Sequence, residues 1–284
     1  MINLIGIGKT GCSVVEKLEQ HSQYSVYKID TGLKGLKKNG IYDFPSFDSP
    51  EDYESKCPSM KNFLKNVNGE TLVVISGGEL ISAASLKILE TIRSRATISL
   101  LYYKPEAALL STERQLLNRG AFNIFQEYAR SGVFERMFVI SHELLRNMMG
   151  DVPISEFENN LSNQISMAYH MIKVLQNDNP IYGVVSPNIS MARLSTIGMA
   201  SIENDEEMLF YELLYAREKT YFYLIPKKEL DTDIKLMNKI IEQVKRKSKD
   251  GKIKINFTVH ESDYEEPFVY VISSSSIIQE TQIE

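Results

Sequence analysis

The run Gly6-Ile7-Gly8-Lys9-Thr10-Gly11 carries the clearest chemical potential in this sequence. It follows an apolar, strand-like segment over residues 2–7 and precedes a helical segment over 13–20. Glycines in that place let backbone N–H groups approach a phosphate, and a helix N-terminus adds a favourable dipole. The spacing fits G-x-G-x-x-G, and Asp30 closes the second strand, where a dinucleotide-binding domain puts its ribose acid. A nicotinamide-dependent oxidoreductase is therefore one reading of the run. A P-loop is not: Gly8-Lys9-Thr10 supplies the G-K-T end, but the required first glycine falls on Asn3. A tight strand–helix turn that binds nothing would need the same glycines. Lys9 either pairs with a phosphate or points to solvent.

A second glycine turn, Ser76-Gly77-Gly78, ends the apolar run 71–75, as a second phosphate-facing loop would require. Other chemistry is sparse. Cys12 and Cys57 offer neither a disulfide framework nor metal spacing, and His21, His142, His170 and His260 form no ligand pattern. The oxidoreductase reading thus lacks a downstream His, Cys or Lys acid/base constellation. Net charge is -5 with a pI near 5.6, which argues against a dedicated nucleic-acid binder. The basic residues Lys245, Arg246, Lys247 and Lys249 sit at an expected helix end, where cations suit the dipole and face water. No stretch approaches the roughly 18 apolar residues of a membrane span, and no signal peptide is visible at Met1. A cytoplasmic, reducing location follows as an expectation.

These residues need a scaffold, and 284 residues with 43% apolar content suffice for two cores. Strands are expected at 2–7, 24–29, 71–75, 97–103 and 136–140, with a short one at 122–125. Helices are expected at 13–20, 83–93 and 111–119, the last stopped by Gly120. That alternation indicates a Rossmann-like, largely parallel sheet covered on both faces. Residues 155–176 lack Gly and Pro and repeat apolar residues at helical spacing, giving a long central helix ended by Asn177-Asp178-Asn179-Pro180. A strand over 221–225, a helix over 231–246 and strands over 252–259 and 268–273 then suggest a smaller C-terminal α/β domain. The polar tail, 279–284, is expected to fray. The expected division is 1–154, 155–177 and 178–284.

The order of these features resembles the tubulin/FtsZ superfamily. The first glycine turn, the second at Gly77-Gly78, the strand end Lys104-Pro105, and the turn Ser141-His142-Glu143-Leu144-Leu145 come in the family's sequence and at comparable spacings. The stretch from Tyr27 to Leu36 looks like the family's second strand and loop, and Ile197-Gly198-Met199-Ala200 like its Met-Gly-Met-Ala run. The resemblance implies a tubulin/FtsZ-like fold and a GTP or GDP site formed by Gly6, Gly8, Lys9, Thr10, Gly11, Cys12, Gly77, Gly78 and Asn159.

It also implies that the site is degenerate. Where the family has a glycine-rich phosphate loop, Glu79, Leu80, Ile81 and Ser82 follow Gly78, and Glu79 would repel a triphosphate. The family's nucleotide-contacting glutamate and arginine fall on Leu109 and Glu113, and its turn asparagine on Ser141. Its guanine-reading aspartate falls on Asn159, which lacks the paired acceptors. The loop Ser186-Pro187-Asn188-Ile189-Ser190-Met191-Ala192, where the family carries catalytic acids, has none. The resemblance therefore implies weak nucleotide binding at most and no catalytic residues of the family type, so the chain is not expected to be an enzyme. It leaves a role in self-assembly, scaffolding or regulation of a protein partner. An active or weak filament-forming GTPase is the second reading, and the oxidoreductase the third.

Overall fold

In the computed structural model, which describes residues 1–33 and 40–279, the chain divides into a unit over Met1–Ser166 and another over Met167–Gln279. Part of the stretch from Tyr27 to Leu36, namely 34–36, and most of the polar tail lie outside the described residues.

The first unit runs β1 (Ile2–Ile7), α1 (Gly8–Glu16), β2 (Tyr24–Thr31), β3 (Ile41–Phe44), α2 (Pro50–Ser55), β4 (Gly69–Ser76), α3 (Ser85–Ile92), β5 (Ala96–Lys104), α4 (Thr112–Arg130), β6 (Arg136–Ser141) and α5 (His142–Met149). The helix α6 (Ile154–Asn177) begins in this unit and ends in the next. The strands pair in parallel in the order β3-β2-β1-β4-β5-β6. Leu4, Ile5, Ile7, Val73, Val74, Leu100 and Val139 are buried, because helices cover both faces of a parallel sheet. Chain order reverses between β1 and β4, and in such sheets the ligand crevice opens beyond the carboxyl ends of the strands at that point.

Several elements differ from expectation. Helix α1 starts at Gly8, not near residue 13, so the glycine run is itself the strand end and first helical turn. Packing explains two of its glycines. A Cβ at Gly6 would lie 2.4 Å from the Gly11 carbonyl oxygen, and one at Gly11 would lie 2.4 Å from that of Val74. Both obstacles are backbone, so Gly11→Ala is expected to destabilise the protein by about 3 kcal/mol, read as a lower urea midpoint. A purely phosphate-binding Gly11 would leave that midpoint unchanged.

The expected strand over 122–125 and the helix stop at Gly120 are both overturned: α4 runs through them to Arg130. An interior glycine costs about 1 kcal/mol, while burying Phe122 and Phe125 against Tyr102 returns about 1.5–3 kcal/mol each. Packing wins. The helix expected over 83–93 begins at Ser85 after a 3-10 turn, Leu80–Ala84. Ser141 is the N-cap of α5, its hydroxyl accepting from the Leu144 N–H.

The second unit contains β7 (Tyr182–Val184), β8 (Leu194–Ala200), β9 (Glu207–Leu209), β10 (Ala216–Pro226), α7 (Lys227–Thr232), α8 (Leu236–Lys247), β11 (Lys254–Ser262) and β12 (Phe268–Ser275). Its strand order is β8-β12-β10-β11-β7, with β9 paired to β8. Only β10 and β11 are parallel among its paired strands. Tyr221, Tyr223, Ile225, Ile240, Val259 and Val271 form its core. The single helix expected over 231–246 is two, because the Asp233 carboxylate accepts the Lys235 N–H at 2.8 Å and holds an extended residue between them. Among the described residues no helix is long and apolar enough to cross a membrane.

Candidate functional site

The two glycine turns end adjacent strands, with Ile7 in register with Ile75. Sheet topology therefore brings Gly6, Gly8, Lys9, Thr10 and Gly11 together with Gly77 and Gly78 at the switch point. Gly8 and Gly78 both have left-handed backbones, φ 79° and 77°, which a residue with a Cβ adopts only under strain.

What fills the crevice is Glu79. Its Oε1 accepts from the Thr10 N–H at 3.1 Å and from the Thr10 hydroxyl at 2.7 Å. The Lys9 N–H supports the same carboxylate. A Cβ at Gly8 would come within 1.9 Å of the other carboxylate oxygen, so Gly8 is bare where Glu79 passes. A chain carboxylate thus sits on the N-terminal donors of α1, the place where helices receive anions. The sequence suggested that Glu79 would repel a phosphate; in the structure its carboxylate occupies N-terminal donors of α1.

Burial pushes the Glu79 carboxyl above its usual range; the bonds from Thr10 oppose this and the nearby Asp30 reinforces it. Asp30 is raised too, mainly by burial, with the Thr31 N–H and Lys9 acting against. A raised carboxyl favours the folded state while protonated. That contribution is complete below the ordinary carboxylate range and is lost as pH rises through the folded-state pKa. Glu79→Gln, uncharged throughout, should therefore match the parent in stability near about pH 4 and exceed it at about pH 7. Urea unfolding at both pH values checks the sign.

The individual surroundings of the expected residues differ. Lys9 is solvent-exposed. The Cys12 thiol lies beneath the turn, within reach of the Gly6 and Ile29 carbonyls, and burial with the Asp30 charge pushes it up to about 12. It is a protonated packing group, not a nucleophile. Gly77 is required by its neighbours, since a Cβ there would meet the Asn118 amide oxygen at 2.0 Å and the Tyr102 hydroxyl at 2.3 Å. Asn159 lies on α6 and accepts a hydrogen bond from Lys17, at the far end of α1 from Thr10. Leu109 is exposed, and Glu113 stands in the first turn of α4.

In the second unit, the segment 186–192 has no acid of its own but is held by one. Glu218, buried on β10, accepts from the Ile189 N–H at 2.8 Å and the Asn256 amide at 2.8 Å, and pairs with Lys254 at 3.0 Å. Asn256 in turn accepts from the Ser186 hydroxyl, and Lys254 donates to the Pro187 carbonyl. Both Glu218 oxygens are engaged, so this carboxylate anchors the segment. In the sequence it is one charge within the run Arg217-Glu218-Lys219, just ahead of the strand expected over 221–225.

No protein-family profile and no curated protein matches the sequence. Solved structures do match. The GDP-form protofilaments of Bacillus thuringiensis serovar israelensis TubZ superpose with TM-score 0.73 at 16% identity, covering 96% of this chain and 86% of that one. CetZ from Methanosaeta thermophila gives 0.69 at 14% identity, over 97% of this chain and 86% of that one. An empty FtsZ dimer from M. jannaschii gives 0.64 at 13% identity, over 96% and 88%. The chain has the tubulin/FtsZ fold, and the oxidoreductase reading is not favoured.

Proposed function

We propose that this chain is a tubulin/FtsZ-like assembly protein whose first glycine turn is filled by its own Glu79, so that GTP or GDP binding is impaired and family-type hydrolysis is lost. The observation that carries this is the Glu79 carboxylate seated on the Thr10 N–H and hydroxyl. A phosphate entering there must displace hydrogen bonds to a charged acceptor. Two such bonds amount to about 3 kcal/mol, or roughly a hundredfold in affinity. The carboxyls of Glu79 and Asp30 share the crevice with Lys9 as the nearby cation, a charge balance opposite to what a triphosphate requires. Loss of hydrolysis is supported by the acid-free segment 186–192, whose neighbouring Glu218 is consumed in anchoring it.

Self-assembly is supported by the fold's neighbours, which include TubZ protofilaments in GDP and GTPγS forms. On this reading the chain serves as a scaffold or regulator whose assembly does not follow nucleotide. Sedimentation of the purified protein without nucleotide, with GDP and with GTP is expected to pellet equal fractions and release no phosphate. Pelleting that requires GTP and releases phosphate would overturn the proposal in favour of a filament-forming GTPase.

A further inference from the structure

We propose that the second unit binds a small organic phosphate, one with an apolar portion, in a cleft of about 550 Å³ beside the start of β10. The volume falls within the range of small-molecule sites. Arg217, Lys249 and Lys252 line the cleft and, among the described residues, no Asp or Glu does. None of the three has a side-chain hydrogen bond or ion pair among the described residues. A fourth cation, Lys219, also lies in the wall, but Glu207 neutralises it at 2.5 Å. The cleft therefore presents unspent positive charge.

Backbone geometry supports a built site. Arg217 is the extra residue of a β-bulge, where pairing with β12 slips between Ala216 and Glu218. Bulges re-aim side chains, and here the bulge puts Arg217 in the cleft while Glu218 turns inward to its anchoring bonds. Of four non-glycine residues with left-handed backbone among the described residues, Tyr215 at φ 54° and Lys249 at φ 47° are in the wall, and Asp250 at φ 57° follows directly. Strained conformations persist where the surrounding structure holds them, and they cluster at binding sites.

The most pointed observation is Ser273. It stands opposite Lys219 on β12, is 1% exposed, lines the cleft, and its hydroxyl has no partner among the described residues. A buried hydroxyl without a partner is uncommon. A phosphate oxygen would accept from it while the Arg217 guanidinium offers its two-pronged donor set. Leu213 and Ile253 in the same wall are what call for an apolar portion beyond the phosphate. This site lies in the other unit from Glu79 and does not depend on how the glycine turn is read.

Isothermal titration calorimetry of the full chain with 1-naphthyl phosphate tests it, with 1-naphthol and inorganic phosphate as comparison probes. Saturable binding is expected for 1-naphthyl phosphate, at least about tenfold tighter than for either comparison probe, and weakened by salt. The doubly substituted Arg217→Gln, Lys252→Gln protein, altered only at exposed positions, should lose about tenfold or more in affinity. Ser273→Ala should weaken binding several-fold yet raise the melting temperature of the free protein, a pairing that a purely structural serine would not give. No saturable heat, binding that 1-naphthol or inorganic phosphate matches, or binding that the double substitution leaves intact would each overturn the proposal.

Discussion

Glu79→Ala is expected to convert a chain indifferent to GTP into one that GTP stabilises. Removing the carboxylate frees the Thr10 N–H and hydroxyl and the space beside Gly8, while Gly8 and Gly78 keep their left-handed backbones. A ligand at a hundred times its Kd stabilises by about 2.7 kcal/mol. At about 2–4 °C per kcal/mol for a chain of this size, the melting temperature should rise by roughly 5–10 °C in the variant and not in the parent. Glu79→Gln separates the two ways in which Glu79 can oppose a nucleotide. Glutamine retains an acceptor oxygen of the same reach but no charge. If occupancy matters, Glu79→Gln stays as indifferent as the parent; if only repulsion matters, it responds like alanine. A variant series in which neither substitution produces a shift would mean that the turn is not a phosphate seat.

The second large effect is expected at Glu218. Glu218→Ala removes the acceptor for the Ile189 N–H and the Asn256 amide and leaves Lys254 without its carboxylate. Breaking a buried pair by deleting one partner costs about 3–5 kcal/mol. Lys254 is one-third exposed and can rehydrate, so the lower end, about 3 kcal/mol, is the expected loss. Asn256 is buried and cannot rehydrate. Two measurements check this: the urea midpoint should fall, and amide exchange at Ile189 should accelerate more than exchange in the core strand β10. Equal acceleration at both places would reduce Glu218 to a general stabiliser with no special hold on 186–192.

Much of this architecture was legible because apolar runs and helical periodicity are local properties. The strands at 71–75 and 97–103 and the long helix α6 could be placed before any contact was known. The errors came where a distant partner outweighed a local signal. Gly120 reads as a stop until Phe122 and Phe125 are seen to need Tyr102. Asp233 reads as helical until its carboxylate turns back onto Lys235. Strand β3 and helix α2 are too short to show a period. At the site, Glu79 was conspicuous by its charge but its seat on Thr10 was not legible, since a sequence does not record which way a side chain turns. Glu218 was invisible, because it acts on a backbone amide 29 positions earlier in the chain.

The Glu79 contact has a kinetic side as well. An occupant joined by covalent bonds to its own receptor cannot diffuse away, and the short link from Ser76, the end of β4, to Glu79 sets its effective concentration at about millimolar or above. A free nucleotide competes with that occupant each time it arrives. A nucleotide-loaded subunit carries a clock, since the molecule it binds ages from one form to another. On the function proposed above, a subunit loaded with its own carboxylate has no such clock: it is in the same state on the day it is made and on the day it is degraded. Turnover of an assembly built from such a subunit would then be timed from outside, by a partner, a proton or a protease.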